Sequence, residues 1–106
     1  MFQRNAVTQT KVVVDVLGSA TPIPFGNFAG GVLHFSATAS LTTITWYVSE
    51  DGTNYYELFD GTGTAVTSTV SASSAMAVPI PDACFGALWL KAVGNNPATC
   101  VLSLKG

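Results

Sequence analysis

Few side chains in this sequence could do chemistry, and their spacing limits what they could do. The single histidine, His34, lies in V-L-H-F-S-A-T-A-S with no acid or nucleophile close by in sequence. A Ser-His-Asp relay needs three groups in hydrogen-bond order, and no G-x-S-x-G elbow is present, so His34 is expected as a surface residue rather than a base. Cys84 and Cys100 are the only thiols, and one His with two separated Cys does not make a zinc spacing. Four of the six carboxylates, Glu50, Asp51, Glu57 and Asp60, fall within eleven residues. Oxygen ligands on two adjacent turns could hold Ca²⁺, yet the EF-hand order is absent. Two of these acids facing each other across a cleft would suit glycoside hydrolysis. An Asp just before Gly more often sets the geometry of a turn, and a Glu on a strand face is usually solvated. The expectation is a non-enzyme with no cofactor and no metal. Tyr47, Tyr55 and Tyr56 cluster beside Asp51-Gly52, where exposed tyrosines can stack on a sugar or fill a protein interface.

The elements that must position these residues read as strands. Thirteen Thr, twelve Val and nine Ser, in short alternating runs between Gly, Pro, Asn and Asp clusters, mark an all-β chain. A strand is expected over Thr10–Leu17, with Val12, Val14 and Val16 on one face. Residues 1–9 are expected as an arm and residues 10–106 as one domain. The Gly- and Pro-rich stretch Gly18–Gly31 reads as a long connection tucked down by Ile23, Phe25 and Phe28. Val32–Ser40 alternates Leu33, Phe35, Ala37 and Ala39 against His34, Ser36, Thr38 and Ser40. Thr42–Ser49 points Ile44, Trp46 and Val48 at the core. Glu50–Thr53 supplies a tight turn into Asn54–Phe59, with Tyr55 and Tyr56 on opposite faces, and Asp60–Gly63 is a second turn. Thr64–Val70 and Ala75–Ile80 follow, joined around Ser71–Ser74, and Pro79 and Pro81 stop the ladder. Ala87–Val93 and Ala98–Leu104 flank Gly94-Asn95-Asn96-Pro97 and read as a closing hairpin that sets Cys100 opposite Lys91. On that layout no disulfide is expected, and both thiols are buried apolar residues. Trp46 and Trp89 are assigned to the core. Eight strands at short spacing imply a β-sandwich or jelly roll with an N-terminal arm.

Charge is scarce: 9% of the 106 residues are Asp, Glu, Lys or Arg, against about 25% in ordinary domains. With 48% hydrophobic residues the chain is not a disordered tail, and no apolar run reaches the ~18 residues of a spanning helix. Four basic residues, Arg4, Lys11, Lys91 and Lys105, form no cluster for a phosphate backbone, so no nucleic acid is expected. The polar start, Met1–Thr10, lacks the layout of a secretory signal, and synthesis in a cytosol is expected. A monomer this apolar would expose patches larger than a solitary protein tolerates. Outward Ser36, Thr38, Thr67 and Thr69 would let sheets approach without desolvating charge. A homo-oligomer, a closed ring and most simply a trimer, follows, with Phe2, Phe25, Phe28, Tyr47, Tyr55 and Tyr56 as interface candidates.

The string W-Y-V-S-E-D-G-T-N-Y-Y-E-L-F-D at residues 46–60 resembles the W-x-x-S-x-D-G-x-x-[WY]-x-x-L hairpin of β-sandwich modules in virion proteins and discoidin-type binding domains. The matching positions are Trp46, Ser49, Asp51, Gly52, Tyr55 and Leu58. The sialidase Asp box differs, because Gly52 follows Asp51 directly and no repeat occurs. Size, composition and the terminal Lys105-Gly106 make the whole chain similar to small structural proteins of tailed bacteriophages, capsid decoration (cement) proteins above all. That resemblance implies a virion location, a major capsid protein or other virion protein as partner, and no catalytic step. The competing expectation is a carbohydrate-binding β-sandwich in which Tyr47, Tyr55 or Tyr56, with Asp51 or Glu57, holds a glycan, with or without Ca²⁺.

Overall fold

A computed structural model describes residues 7–26, 30–36, 41–70 and 75–105. Nine strands occur among them: β1 (Val7–Val14), β2 (Ile23–Pro24), β3 (Gly30–Phe35), β4 (Thr43–Ser49), β5 (Tyr56–Glu57), β6 (Thr67–Thr69), β7 (Met76–Pro79), β8 (Trp89–Gly94) and β9 (Ala98–Lys105). One short 3₁₀ turn, Asp82–Cys84, is the only helical element among the described residues, and none is long and apolar enough to cross a membrane. The strands form two antiparallel sheets, ordered β1-β9-β3-β7 and β2-β8-β4-β5, with β6 also paired to β4.

Period-two alternation makes both sheets one-sided. Val12 and Val14, Leu33 and Phe35, and Cys100, Leu102 and Leu104 are buried from the first sheet; Ile23, Ile44, Trp46, Leu90 and Ala92 are buried from the second, in one shared core. Each large aliphatic or aromatic side chain buried there contributes about 1.5–3 kcal/mol. Trp46 is enclosed with its one polar atom satisfied, its Nε1 donating to Ser68 Oγ at 2.9 Å. At Trp46 the edge of β4 changes partner, from β6 at Thr43–Thr45 to β5 at Tyr47–Val48. The switch is closed by Trp46 N–H to Val66 O, Leu58 N–H to Trp46 O and Val66 N–H to Leu58 O.

Several expectations change. β1 starts at Val7 rather than Thr10, so residues 7–9 of the expected arm pair with the C-terminal strand through main-chain bonds. The strand also stops at Val14: the Asp15 carboxylate accepts the Val16 N–H, the chain turns, and Val16, 61% exposed, does not continue the face of buried Val12 and Val14. The Asp-Gly link between β4 and β5 is a six-residue loop, residues 50–55, and not a tight turn.

The largest correction concerns the last two strands, which make no hairpin. β8 lies between β2 and β4 in one sheet, whereas β9 lies between β1 and β3 in the other, so Gly94–Pro97 crosses between sheets. Asn95 anchors the crossing: its Oδ1 accepts the N–H groups of Thr42 and Thr43. Cys100 consequently faces Val12 instead of Lys91, and its thiol donates to Val12 O at 3.6 Å.

Candidate functional site

Antiparallel register sets the loop that carries Ser49, Asp51 and Tyr55 at one end of the molecule. Val7 pairs with Lys105, Lys105 with Gly30, Ser49 with Trp89, and Pro24 with Trp89, so the 49–55 loop, the 80–88 connection and the start of β1 share that end.

The loop is built around two side chains. Ser49 Oγ accepts the N–H of Gly52 at 2.9 Å and of Asp51 at 3.2 Å, and its hydroxyl donates to Asp51 Oδ1. Asp51 Oδ1 also accepts the N–H of Thr53 and Asn54, and Oδ2 accepts the Asn54 amide at 3.1 Å. The Asn54 N–H first, then the Thr53 N–H and the Ser49 hydroxyl, hold the Asp51 carboxyl far below the usual carboxylate range. Gly52 has φ +78°, and a Cβ there would stand 3.0 Å from the Trp89 ring, so backbone and packing both demand glycine. Ser49 is buried although it lies on the outer face of its sheet, because its own loop covers it.

That covering explains Trp89, which sequence reasoning assigned to the core. Leu90 and Ala92 are the inward positions of β8; Trp89 alternates outward and is only half-buried, under Gly52. Lys91 points the same way, its Nζ 4.6 Å from the Tyr55 ring centroid and donating to Leu17 O at 3.0 Å. Tyr55 is half-buried, and its hydroxyl is enclosed without a hydrogen-bond partner. Burial, and secondarily the Asp51 charge, raises its pKa. All six residues of the W-x-x-S-x-D-G-x-x-[WY]-x-x-L pattern therefore have structural work: Trp46 and Leu58 on the core, Ser49, Asp51 and Gly52 in the loop, Tyr55 beneath Lys91.

The acids do not converge. Asp60 turns inward on its own turn, accepting from Thr62 Oγ1 at 2.6 Å and from the N–H groups of Thr62 and Thr64, which lowers its pKa. Glu50 and Glu57 are exposed. Among the described residues no three His, Cys, Asp or Glu side chains are placed to hold a metal ion. Tyr47 and Glu57 pair across β4 and β5, while Tyr56 pairs with Val48 on the opposite face, so the three tyrosines do not make one stacking platform. His34 is exposed on β3 with Nε2 3.4 Å from Ser103 Oγ, a contact that no spacing in the sequence signals and that lines neither groove. Cys84 and Cys100 are free and buried.

The interface candidates divide. Phe25 is inside the core with its ring 5.9 Å from that of Phe85, so it offers no surface on this chain. Phe2 and Phe28 lie outside the described residues, as does Thr38. Tyr47 and Tyr55 are half-buried, and Tyr56 is open. What sequence reasoning missed is a groove of about 390 Å³ between the β4–β5 hairpin and the 83–88 connection, lined by Val48, Tyr56, Leu58, Ala87 and Leu88, with Glu50 at its side. Tyr56, Phe85 and Leu88, each 47–63% exposed, make this end of the molecule apolar, while the exposed Phe59 lies farther along the edge, where it bridges Ala65. A second groove of about 270 Å³ lies at the opposite edge, between β1, β2 and β9.

Comparison with protein-family models, with curated proteins and with solved structures found no match.

Proposed function

We propose that this chain is a non-enzymatic virion structural protein of the capsid decoration type, a β-sandwich of jelly-roll character that stabilises a shell through subunit contacts. The observation that carries the reading is the apolar end formed by Tyr56, Phe85 and Leu88, on a chain with ten charged residues. Exposed large side chains gathered around a groove are the mark of an association surface. The Asp51 and Asp60 carboxylates, the strongest chemical candidates in the sequence, are engaged by their own turns. In this reading the sheets associate into a closed ring, a trimer in its simplest form, seated on a major capsid protein or another virion protein.

Two measurements test it. Light scattering on the purified chain at micromolar concentration is expected to give a discrete oligomer, and a monodisperse monomer counts against the reading. The gene is expected to neighbour one for a major capsid protein; a neighbourhood of secreted glycan-degrading enzymes, with binding on a glycan array that Tyr47→Ala abolishes, would replace the virion reading with the carbohydrate one.

A further inference from the structure

Of the strands that end the two sheets, β1 alone is long and unprotected. β2 and β5 have two residues each, β6 has three and β7 four, and β2 and β7 carry Pro24 and Pro79, which have no N–H to offer. Short strands and proline are the usual devices that keep an edge from pairing further. β1 has eight residues, no proline and a single charged residue, Lys11. Its main chain faces outward at alternate positions. Val12 O lies towards β9, where it accepts the Cys100 thiol. Val13 faces the other way: its N–H donates to Thr21 Oγ1 at 2.9 Å, and its carbonyl accepts the Thr21 N–H at 3.0 Å. An antiparallel ladder repeats this alternation, so Lys11, Gln9 and Val7 also present N–H and C=O away from β9. Thr21 covers Val13, and no strand among the described residues pairs with the other three, which leaves an open edge about 13 Å long.

The second groove runs beside this open stretch. Thr10 shares the inward face of buried Val12 and Val14 yet is exposed, and the groove of about 270 Å³ opens there, lined by Thr10, Val12, Ile23, Pro24, Leu102 and Leu104. A strand laid along Val7–Lys11 would continue that inward face. Every second side chain of it would turn towards the apolar groove, and those between would stand beside exposed Lys11. Main-chain bonds joined to alternate side-chain contacts are how a sheet edge recognises an extended segment. The chemistry of the segment follows: apolar at alternate positions, with an acid between them to meet the one cation of the edge. A second copy's β1 is the wrong occupant, since pairing β1 with itself brings another Thr10 to the inward face and another Lys11 to the outer one.

We propose that the Val7–Lys11 edge receives an extended segment of a partner protein, apolar at alternate positions and acidic between them, as a fifth strand of the β1-β9-β3-β7 sheet. This site shares no lining residue with the apolar end on which the association reading rests. The test uses the full chain and a synthetic peptide, Ac-TVEVTV-NH2, at millimolar concentration. Amide exchange at Lys11 and Gln9, followed by NMR, is expected to slow about tenfold or more when the peptide is added, while the β9-bonded amides of Thr10 and Val12 keep their rates. Lys11→Glu, an exposed change, is expected to weaken this peptide two- to fivefold or so and to strengthen Ac-TVKVTV-NH2 by a similar factor. A peptide N-methylated on the amides that would face β1 should not bind. Lys11 and Gln9 amides that exchange equally fast with and without peptide overturn the proposal, as does equal binding of the N-methylated form. Protection of those amides that is present without peptide and grows with protein concentration assigns the edge to a second copy, and overturns it too.

Discussion

Ser49 and Asp51 show how a short motif is spent on shape. Their oxygens accept the N–H groups that a tight reversal leaves unpaired, and an acid so engaged binds its proton weakly while folded. The unfolded chain carries an ordinary carboxyl, near 3.8, and the folded one lies below it. As pH falls through that range the unfolded state takes up the proton first, so the Asp51 contribution is complete above about pH 4 and is lost towards the folded value. Melting temperature followed from pH 6 to pH 2 is expected to fall along an acid limb that Asp51→Asn flattens. The thiols behave oppositely. Burial pushes Cys84 up to about 12 and Cys100 up to about 11, which leaves almost no thiolate at neutral pH. Neither should react with a thiol-specific dye in the native protein at pH 8, and both should react in guanidinium. At this scale much was legible: the Asp-Gly pair and the apolar cysteines announce themselves in the sequence. Trp89 did not, because β8 is apolar at its edges on both sides and its position depends on a loop forty residues upstream.

Single strands were readable wherever one face is wet. β3 and β4 alternate cleanly, and Leu33, Phe35, Ile44 and Trp46 are buried as that alternation requires. Pairing was not readable, because a Gly-Asn-Asn-Pro turn looks the same whether the chain returns along the same sheet or passes to the other. What decides is the rest of the protein: Asn95 capping Thr42 and Thr43, and a place for β9 between β1 and β3. That central place makes β9's neighbours intolerant of added bulk. A Cβ on Gly31 of β3 would stand 2.9 Å from the Ser103 carbonyl oxygen and 2.7 Å from Leu104, and backbone cannot step aside as a side-chain tip can. Gly31→Ala is expected to destabilise by roughly 1–3 kcal/mol in urea unfolding, whereas Gly61→Ala, with open space at its Cβ, should stay within about 0.5 kcal/mol.

For the molecule as a whole, scarcity of charge and location of surface are separate facts. Composition raised the expectation of a covered apolar surface without locating one, and the groove assembles from β4, β5 and the 83–88 connection, residues that meet only through the sheets, so no local pattern foretells it. The same non-local pairing sets the folding regime. The first sheet closes only when β9 slots between β1 and β3, so folding is expected in milliseconds to seconds, slower than for a helical chain of this size. Stopped-flow fluorescence of the buried Trp46 would report it.

The pairing of Val7 with Lys105 also means that the order in which the strands are written along the gene is not something the sheets require. The start of β1 and the end of β9 lie side by side, so a short linker could join Val7 to Lys105 and the chain could be reopened at the exposed Gly61-Thr62 turn. Such a circular permutant should keep the native circular dichroism and melt within a few degrees of the parent, while one opened inside β9 should not fold.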